Sequence, residues 1–244
     1  MNAATPRLIG TAGWSVPAQY ASGFPAAGSH LERYAQRLNA VEINSSFYRP
    51  HQRKTYERWA ASVPKHFRFA VKIPKAITHE RKLVDCGALL DRFAAEAGGL
   101  GGKLGVLLVQ LPPSLDFDAR NASRFFADLR QRIDVALACE PRHASWFNAA
   151  ADALLIKHKV ARVAADPTRA PEAGTPGGWQ GLAYYRWHGS PRIYYSDYDA
   201  AALVALRDRL DAARDRGSPA WCIFDNTAAA AALGNALTLA SSKK

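Results

Sequence analysis

Apolar runs of strand length alternate with helical patterns along most of the 244-residue chain. Short apolar runs that are rich in β-branched and aromatic residues are typical of buried strands. Eight such runs predict strands at residues 7–14, 40–48, 67–74, 104–113, 135–142, 160–166, 182–189 and 220–226. Because parallel strands need crossover connections, usually helices, this alternation favours an α/β fold.

Most of the intervals between these strands carry apolar residues at helical spacing. The spacing i, i+3, i+4, i+7 predicts helices over residues 31–38, 56–63 and 122–129, and leucines predict another over 203–210. The acidic segment SDYD at 196–199 can cap the last of these with side-chain oxygens. The interval 167–181 is rich in Gly and Pro and predicts a loop, which makes it the weakest part of the repeat.

Eight strands alternating with helices are what a (β/α)₈ barrel requires, and its usual length is about 250 residues. The sequence therefore predicts one α/β domain over residues 1–244, a TIM barrel with its core at about 7–240. A doubly wound open sheet is the alternative, and it usually has a Gly-rich phosphate turn after its first strand. The segment GTAGWS at 10–15 is not GxGxxG, so that signal is absent.

One face of most predicted strands is apolar, and the other becomes polar toward the carboxyl end. Side chains alternate across a strand, so the two parities face opposite sides of a barrel wall. Even-numbered positions carry the polar residues in five of the strands, and Glu42 in the segment AVEIN is the clearest case. Because barrel enzymes build their sites at the carboxyl ends of the strands, this parity predicts a polar pocket there.

The predicted pocket collects the polar side chains of the even face. Its members are Glu42, Asn44, Lys72, Gln110, Glu140, Arg142, Asp166, Arg186 and His188. The last strand adds Asp225 or Asn226, and parity leaves this choice open because both of its faces are apolar. Buried charges of this number must be paired with one another, with a ligand or with a metal, since desolvating each alone is costly.

Six colinear segments between about Ile9 and Leu239 share a pattern with a known family. They are VEINSSFYRP, WAASVPKHFRFAVKIPKAITHERKL, LGVLLVQLPPSLDFD, CEPRHASWF, RWHGSPRIYYSDYD and FDNTAAAAALGNALTL. On these segments the chain resembles the YecE-like family, also called domain of unknown function 72, whose members fold as TIM barrels. The resemblance implies the fold and implies no activity.

The motifs of that family fall on a defined set of positions in this sequence. These are Glu42, Asn44, Lys72, Gln110, Glu140, Arg142, His143, Trp146, Arg186, His188, Gly189 and Asn226. Asp225 stands where Asn is commoner in such proteins, so the resemblance assigns Asp225 no general role in the family. Ala144 stands where Pro is commoner, and this difference looks neutral.

Acid–base catalysis is one interpretation of the pocket. Glu42 and Glu140 come from the second and fifth strands, which lie across a barrel, and two facing carboxylates can share acid and base roles. The alternative is that salt bridges with the neighbouring cations hold both carboxylates in place, since ion-pair networks also resemble active sites.

Recognition of a small anion, such as a sugar phosphate or nucleotide-like molecule, is the interpretation that the residue types favour most. Lys72, Arg142 and Arg186, with backbone amides near Gly189, can hold a phosphate or carboxylate, because arginine forks match both groups. The side chains that would orient the ligand are Asn44, Gln110, His188 and Asn226. Aromatic rings that could stack on it are Trp14, Tyr48 and Trp146.

A divalent metal is a further option, and it would make the protein a metal-dependent isomerase or hydrolase. The side chains of Glu42, Glu140, Asp166, His188 and Asp225 are oxygen and nitrogen donors of the required kind. The three cations among them would oppose a metal, and no HExxH or His-x-His spacing is present. The sequence therefore assigns no metal ligands and requires no cofactor.

The chain carries a formal net charge of +11 and a sequence pI of about 9.8. A basic surface can bind nucleic acid, which is the non-enzymatic alternative. The basic residues are dispersed among acidic ones, as in DLRQR, and no RNP, KH or zinc-finger pattern is present. This composition leaves nucleic acid as the second choice behind a small anion.

Three cysteines without a CxxC spacing predict buried thiols in a reducing compartment. The first 25 residues lack a signal-peptide pattern, and no run approaches the length of a membrane span. The sequence therefore predicts a cytoplasmic protein without a membrane partner. It does not indicate an oligomeric state.

Overall fold

The structure is a computed structural model that describes residues 7–168 and 170–241. The ends of the predicted 1–244 domain, and Arg169, lie outside these residues. The strands are β1 Arg7–Thr11, β2 Ala40–Ile43, β3 Arg68–Lys72, β4 Leu104–Gln110, β5 Ala136–Glu140, β6 Val160–Arg162, β7 Ala164–Asp166, β8 Gly177–Gly178, β9 Ala183–Trp187 and β10 Ala220–Phe224.

Helices follow most of the strands, as the sequence predicts. They are α1 His30–Tyr34, α2 Ser45–Tyr48, α3 Arg53–Ala61, α4 Gly87–Ala97, α5 Ala119–Arg132, α6 Ala149–Lys157, α7 Ala200–Asp215 and α8 Ala231–Ser241. Asp199 accepts a hydrogen bond from the Ala202 amide at 2.8 Å, so the predicted cap of α7 is confirmed. None of the helices within the two described ranges has the length and apolar character that crossing a bilayer requires.

The strands form two sheets that are mostly parallel, which confirms the α/β class. A four-stranded sheet has the order β1-β10-β9-β7, and a six-stranded sheet has the order β2-β3-β4-β5-β6-β8. Every pair is parallel except β6 with β8. The hydrogen-bonded ladders do not join into one ring, so the closed barrel expected from the sequence is not confirmed.

The two sheets meet at two seams. At the first, Ala12 forms an isolated parallel bridge with Glu42, and the Gly13 amide donates to the Glu42 carbonyl at 2.8 Å. A Cβ on Gly10 would lie 2.1 Å from the Ala40 carbonyl oxygen, so this close approach requires glycine. At the second seam, Val163 separates β6 from β7 and donates its amide to the Cys139 carbonyl at 2.8 Å.

The strands bury one face in an inner cluster and the other in a larger cluster beneath the helices. Ala40, Ala70, Ala138 and Tyr184 belong to the inner cluster, as their even parity predicts. On β10 the inner residues are Trp221 and Ile223, which settles the parity that the sequence left open. Asp225 therefore continues the inner face of the last strand.

The predicted inner face of residues 160–166 is wrong. Ala161 and Val163 belong to the inner cluster, and Ala164 belongs to the outer one. Arg162 turns toward the helices, where its Nε donates to Asp152 at 3.0 Å. Both faces of this short segment carry small apolar residues, and only the even face also carries charges, so the hydrophobic pattern alone did not fix its orientation.

Several predicted strands end earlier than their apolar runs. The run 40–48 stops at Ile43 because Asn44 has helical dihedral angles, φ −90° and ψ −20°, and α2 begins at Ser45. The run 104–113 stops at Gln110, before two prolines that lack amide donors. The predicted loop 167–181 contains a 3₁₀ turn and the two-residue β8.

Candidate functional site

Arg186, on β9, is the centre of a buried charged cluster at the carboxyl ends of the strands. Its side chain is fully buried, and its guanidinium reaches three carboxylates. Nη2 donates to Glu42 at 2.7 Å and to Asp225 at 2.9 Å, while Nη1 donates to Glu140 at 2.9 Å. Burial disfavours the charged form, but the three carboxylates outweigh it and hold the Arg186 pKa well above its usual value.

Tyr184 completes the partners of Glu42, and the sequence analysis missed it. Its hydroxyl donates to Glu42 at 3.0 Å, two residues before Arg186 on the same face of β9. Burial, together with the charge of Glu42, raises the Tyr184 pKa well above its usual value. The even parity that identified Arg186 also includes Tyr184, so parity could have found it if aromatic hydroxyls had been counted as polar.

Glu140, at the end of β5, receives donors from four side chains. Gln110 donates at 3.2 Å, Arg142 at 3.0 Å and Arg186 at 2.9 Å, and His188 Nε2 lies 3.1 Å away. Burial raises the Glu140 pKa, but Arg186, His188 and Arg142 lower it well below its usual value. Glu140 is therefore an ionised carboxylate at neutral pH, and it lacks the proton that a general acid must supply.

His188 links two of the carboxylates. Its Nδ1 lies 3.1 Å from Asp225, and its Nε2 lies 3.1 Å from Glu140. Burial lowers the His188 pKa, but these two carboxylates raise it above its ordinary value. The Asp225 pKa is lowered, because Arg186 and His188 outweigh the effect of burial. Both ring nitrogens of His188 face carboxylates, so the proton that an acid–base reaction would need lies on His188 and not on Glu140.

Lys72, at the end of β3, lies beside this cluster without joining its ion pairs. Its Nζ lies 4.0 Å from the centre of the Phe47 ring, a cation–π distance. Across the ranges 7–168 and 170–241, no carboxylate oxygen lies within ion-pairing distance of it. Burial and Arg186 lower the Lys72 pKa to about 8, against the opposing effects of Glu42, Glu140 and Asp225.

Arg142 and His188 line a small open pocket of about 20 Å³, which Ala165, Pro167, Ala173 and Ile193 also line. The Arg142 side chain keeps 17% of its surface exposed. Among the ion-paired side chains of the cluster, this is the largest exposed fraction. Burial is the main cause that lowers the pKa of the half-buried His79 ring, and the charges of Lys72 and Arg142 lower it further. These cations therefore share one electrostatic environment at the mouth of the cluster.

Three residues of the predicted site lie elsewhere. Asp166 faces the helix side, where its carboxylate accepts the Tyr198 hydroxyl at 2.7 Å, as expected once the face of residues 160–166 is reversed. Trp14 packs edge-on against Trp59 with ring centres 5.0 Å apart. Trp146 is buried and donates its indole N–H to a backbone carbonyl at 2.9 Å, so its ring is part of the core.

The remaining predicted residues surround the cluster at its edges. Tyr48 is 68% exposed and contacts Phe47 edge-on, outside the charged network. The Gly189 amide donates to the Tyr198 hydroxyl at 2.9 Å. Asn226 is fully buried, and its Nδ2 donates to the Ser196 carbonyl at 2.8 Å and to Asn235 at 2.9 Å.

Two buried amide oxygens at this end of the fold have no donor within the described part of the chain. They are the Oδ1 atoms of Asn44 and Asn226. The two donations from Asn226 Nδ2 fix the orientation of this amide, and its oxygen is an acceptor. A buried acceptor without a donor costs free energy, of the order of 1–3 kcal/mol, and such groups are rare.

The cluster differs in composition from a metal site. Within the ranges that the structure describes, no group of three or more His, Cys, Asp or Glu side chains has the geometry to hold a metal ion. The Arg186 guanidinium lies between the carboxylates Glu42, Glu140 and Asp225 and takes up the oxygens that would face a cation.

Comparisons with known proteins place this architecture in a family. Residues 8–244 match the family profile described as "Protein of unknown function DUF72". The UPF0759 protein YunF of Bacillus subtilis is 29% identical over 149 residues, which are 57% of this chain and 52% of YunF. The UPF0759 protein YecE of Escherichia coli is 32% identical over 104 residues, 43% of this chain and 37% of YecE. The matched region spans about half or less of these curated relatives.

Solved structures of the same family share the fold. A DUF72 family protein of Enterococcus faecalis superposes with a TM-score of 0.81 at 19% identity, covering 98% of this chain and 97% of that one. A DUF72 family protein of Thermotoga maritima gives a TM-score of 0.77 at 23% identity, covering 96% and 97%. The profile match over nearly the whole sequence shows that the chain belongs to the DUF72 family.

Proposed function

We propose that this protein binds a small anionic molecule at the carboxyl ends of its strands, and that its two sheets form one (β/α)₈ barrel. The Ala12–Glu42 bridge and the continuity of the chain through Val163 support closure at the two seams. Parallel barrels carry their sites at this end. The observation that carries the binding proposal is that the buried cluster contains one more positive charge than negative charges.

The excess appears when the charges are paired. Glu42, Glu140 and Asp225 supply three negative charges, and each of them contacts Arg186. Arg186, Arg142 and the imidazolium of His188 supply three positive charges that hydrogen-bond to these carboxylates. The ammonium of Lys72 has no such partner, so an anion bound against it would neutralise it and offset the cost of its burial.

Lys72 and Arg142 are the cations available to an incoming anion. Arg142 donates Nε and Nη2 to Glu140, at 3.1 and 3.0 Å, which leaves Nη1 without a hydrogen-bond partner among the described residues. Arg186 has its donors committed to the three carboxylates, so its role is to organise the site. A phosphate or carboxylate would lie between a guanidinium edge and an ammonium, a pairing that suits either group.

The unpartnered oxygens suggest what else the ligand carries. Asn44 Oδ1 and Asn226 Oδ1 are acceptors, so they match hydroxyl groups. Asn44 lies directly after β2, two residues beyond Glu42, and Asn226 lies directly after Asp225 beyond the end of β10. An anion with several hydroxyls, such as a sugar phosphate, would satisfy both kinds of group.

Thermal unfolding in the presence of inorganic phosphate and of ribose 5-phosphate tests this function. A ligand present at about 100 times its Kd adds about 2.7 kcal/mol to the unfolding free energy. We expect a rise in Tm for the wild type that is lost in Lys72→Met and in Arg142→Gln. Lys75→Met and Arg81→Gln remove exposed cations from the same end of the fold and serve as matched controls.

The proposal fails if neither compound raises the Tm, or if the control variants abolish the effect as completely as the site variants do. Sodium chloride at equal ionic strength separates specific binding from general screening. Stabilisation by an oligonucleotide that survives both site variants and falls steeply with salt would favour the nucleic-acid alternative instead.

A further inference from the structure

Lys72 differs from the other lysines at this end of the fold in the contacts of its amine. The residue is 5% exposed, and Nζ contacts the face of Phe47 and no oxygen acceptor among residues 7–168 and 170–241. Lys75 forms an ion pair with Glu80 at 3.2 Å. Lys82 donates to the Ser114 carbonyl at 3.4 Å.

The neighbouring carboxylates are paired with donors other than Lys72. Glu42 accepts from Arg186 and Tyr184, and Asp225 accepts from Arg186 and His188. The cluster is balanced in charge without Lys72, so loss of its proton leaves no buried carboxylate unpaired. Burial and the Arg186 guanidinium bring the pKa of the amine to about 8, so a sizeable fraction is neutral near physiological pH.

We propose that the neutral amine of Lys72 is a nucleophile that forms an imine with the carbonyl carbon of an anionic ligand, an α-oxo acid or an aldehyde phosphate. The inference rests on the proposed function, because Arg142 must hold the anionic group. Lys72 would thus be a reactive group within the binding site, and the ligands would be anionic carbonyl compounds.

The step balances without a further reactant. The amine lone pair forms the C–N bond, the π electrons of the carbonyl move to oxygen, and a proton passes from nitrogen to that oxygen to give a carbinolamine. The C–O bond then breaks, and the hydroxyl leaves as water with the second amine hydrogen as the C=N bond forms. Borohydride would reduce this imine, placing hydride on carbon and a proton on nitrogen, which leaves a stable secondary amine on Lys72.

Reductive trapping tests the inference on the full chain. The protein is incubated separately with glyoxylate, pyruvate and glycolaldehyde phosphate, reduced with sodium borohydride, and mapped by peptide mass spectrometry. We expect at least one of the three to label Lys72 about tenfold more than Lys75, because a desolvated amine of low pKa is the activated nucleophile. Labelling of Lys72 should rise between about pH 7 and pH 9, following the fraction of neutral amine.

Lys72→Arg provides the matched variant, because it keeps the cation and removes the reactive amine. Its labelling at this position must vanish, while Lys75 should be labelled as in the wild type. If none of the three compounds labels Lys72 above the level of Lys75, the imine proposal is overturned. When that result coincides with phosphate stabilisation, anion binding stands alone; when phosphate also fails to stabilise the wild type, both proposals fall.

Discussion

Replacement of Arg186 by methionine removes the one side chain that contacts all three carboxylates of the cluster. Methionine is close to arginine in length and suits the apolar packing of the inner face. Glu42, Glu140 and Asp225 would remain at their places, with exposures of 0%, 2% and 6%. The variant therefore leaves buried negative charges in place of a paired network.

The expected cost follows from the burial of the partners. Removing one member of a buried ion pair typically costs about 3–5 kcal/mol, because the other charge stays desolvated. Since Arg186 serves three carboxylates, we expect the loss to reach at least this range. For a chain of this size, that corresponds to a drop in Tm of roughly 6–20 °C, at about 2–4 °C per kcal/mol.

The pH dependence gives the prediction a second, independent readout. In the wild type, the depressed pKa values of Glu140 and Asp225 stabilise the fold above the pKa of the unfolded carboxyls, and this contribution is lost as pH falls through the folded pKa. Without Arg186, burial would raise the carboxyl pKa values, so the folded state takes up protons more readily. The unfolding free energy of Arg186→Met should therefore rise between about pH 8 and pH 5.5.

Urea unfolding at these two pH values measures both effects. Arg162→Met is the matched control, because Arg162 is also buried but pairs only with Asp152, whose side chain is 34% exposed. We expect Arg162→Met to cost less than Arg186→Met and to show no gain on acidification beyond that of the wild type. A loss below about 1 kcal/mol for Arg186→Met, with no gain at lower pH, would refute the assignment of Arg186 as the centre of a buried network.

Three further predictions concern His188, Lys72 and the first seam. NMR titration should find His188 still protonated at a pH where His51 and His79, whose pKa values are lowered, are already neutral. If His188 loses its proton at the same pH as they do, or at a lower one, its contacts with Glu140 and Asp225 are wrong. Lys72→Met should raise the unfolding free energy above that of the wild type at about pH 7. The difference should shrink toward about pH 10, because the wild-type amine is then neutral in the fold. An unfolding free energy that is unchanged or lowered at about pH 7 would contradict an unpaired buried ammonium. Gly10→Ala should lower the Tm strongly, since its Cβ would lie 2.1 Å from a backbone oxygen, whereas Gly102→Ala should not, and equal effects would argue against the close approach of β1 to β2.

Much of the site could be predicted from alternation alone. Glu42, Lys72, Glu140 and Arg186 occupy even positions in strands whose odd positions are bulky and apolar, and in those strands the core determines which face turns inward. The same rule failed for Asp166, because residues 160–166 offer small apolar side chains on both faces. Here contacts with α6, including the pair Arg162–Asp152, accompany the reversed orientation.

The pairing inside the cluster could not be predicted in the same way. Sequence parity brings the carboxylates and cations together, but it does not say that Arg186 takes three of them and Lys72 none. That outcome depends on side-chain reach between strands distant in sequence, as in the 144-residue separation of Arg186 from Glu42. The location of Trp146 in the core likewise depends on a loop, since its indole reaches the Leu115 carbonyl.

A crystal structure of the protein with tungstate would test the anion site most directly. Tungstate is a tetrahedral oxyanion whose anomalous scattering locates it without ambiguity. The excess of one cation in the cluster predicts a tungstate ion in contact with Lys72 Nζ and the Arg142 guanidinium, and no such ion at this place in Lys72→Met. Tungstate found only on the outer basic surface, with the pocket beside Arg142 and His188 empty, would contradict a small-anion site at the carboxyl ends of the strands.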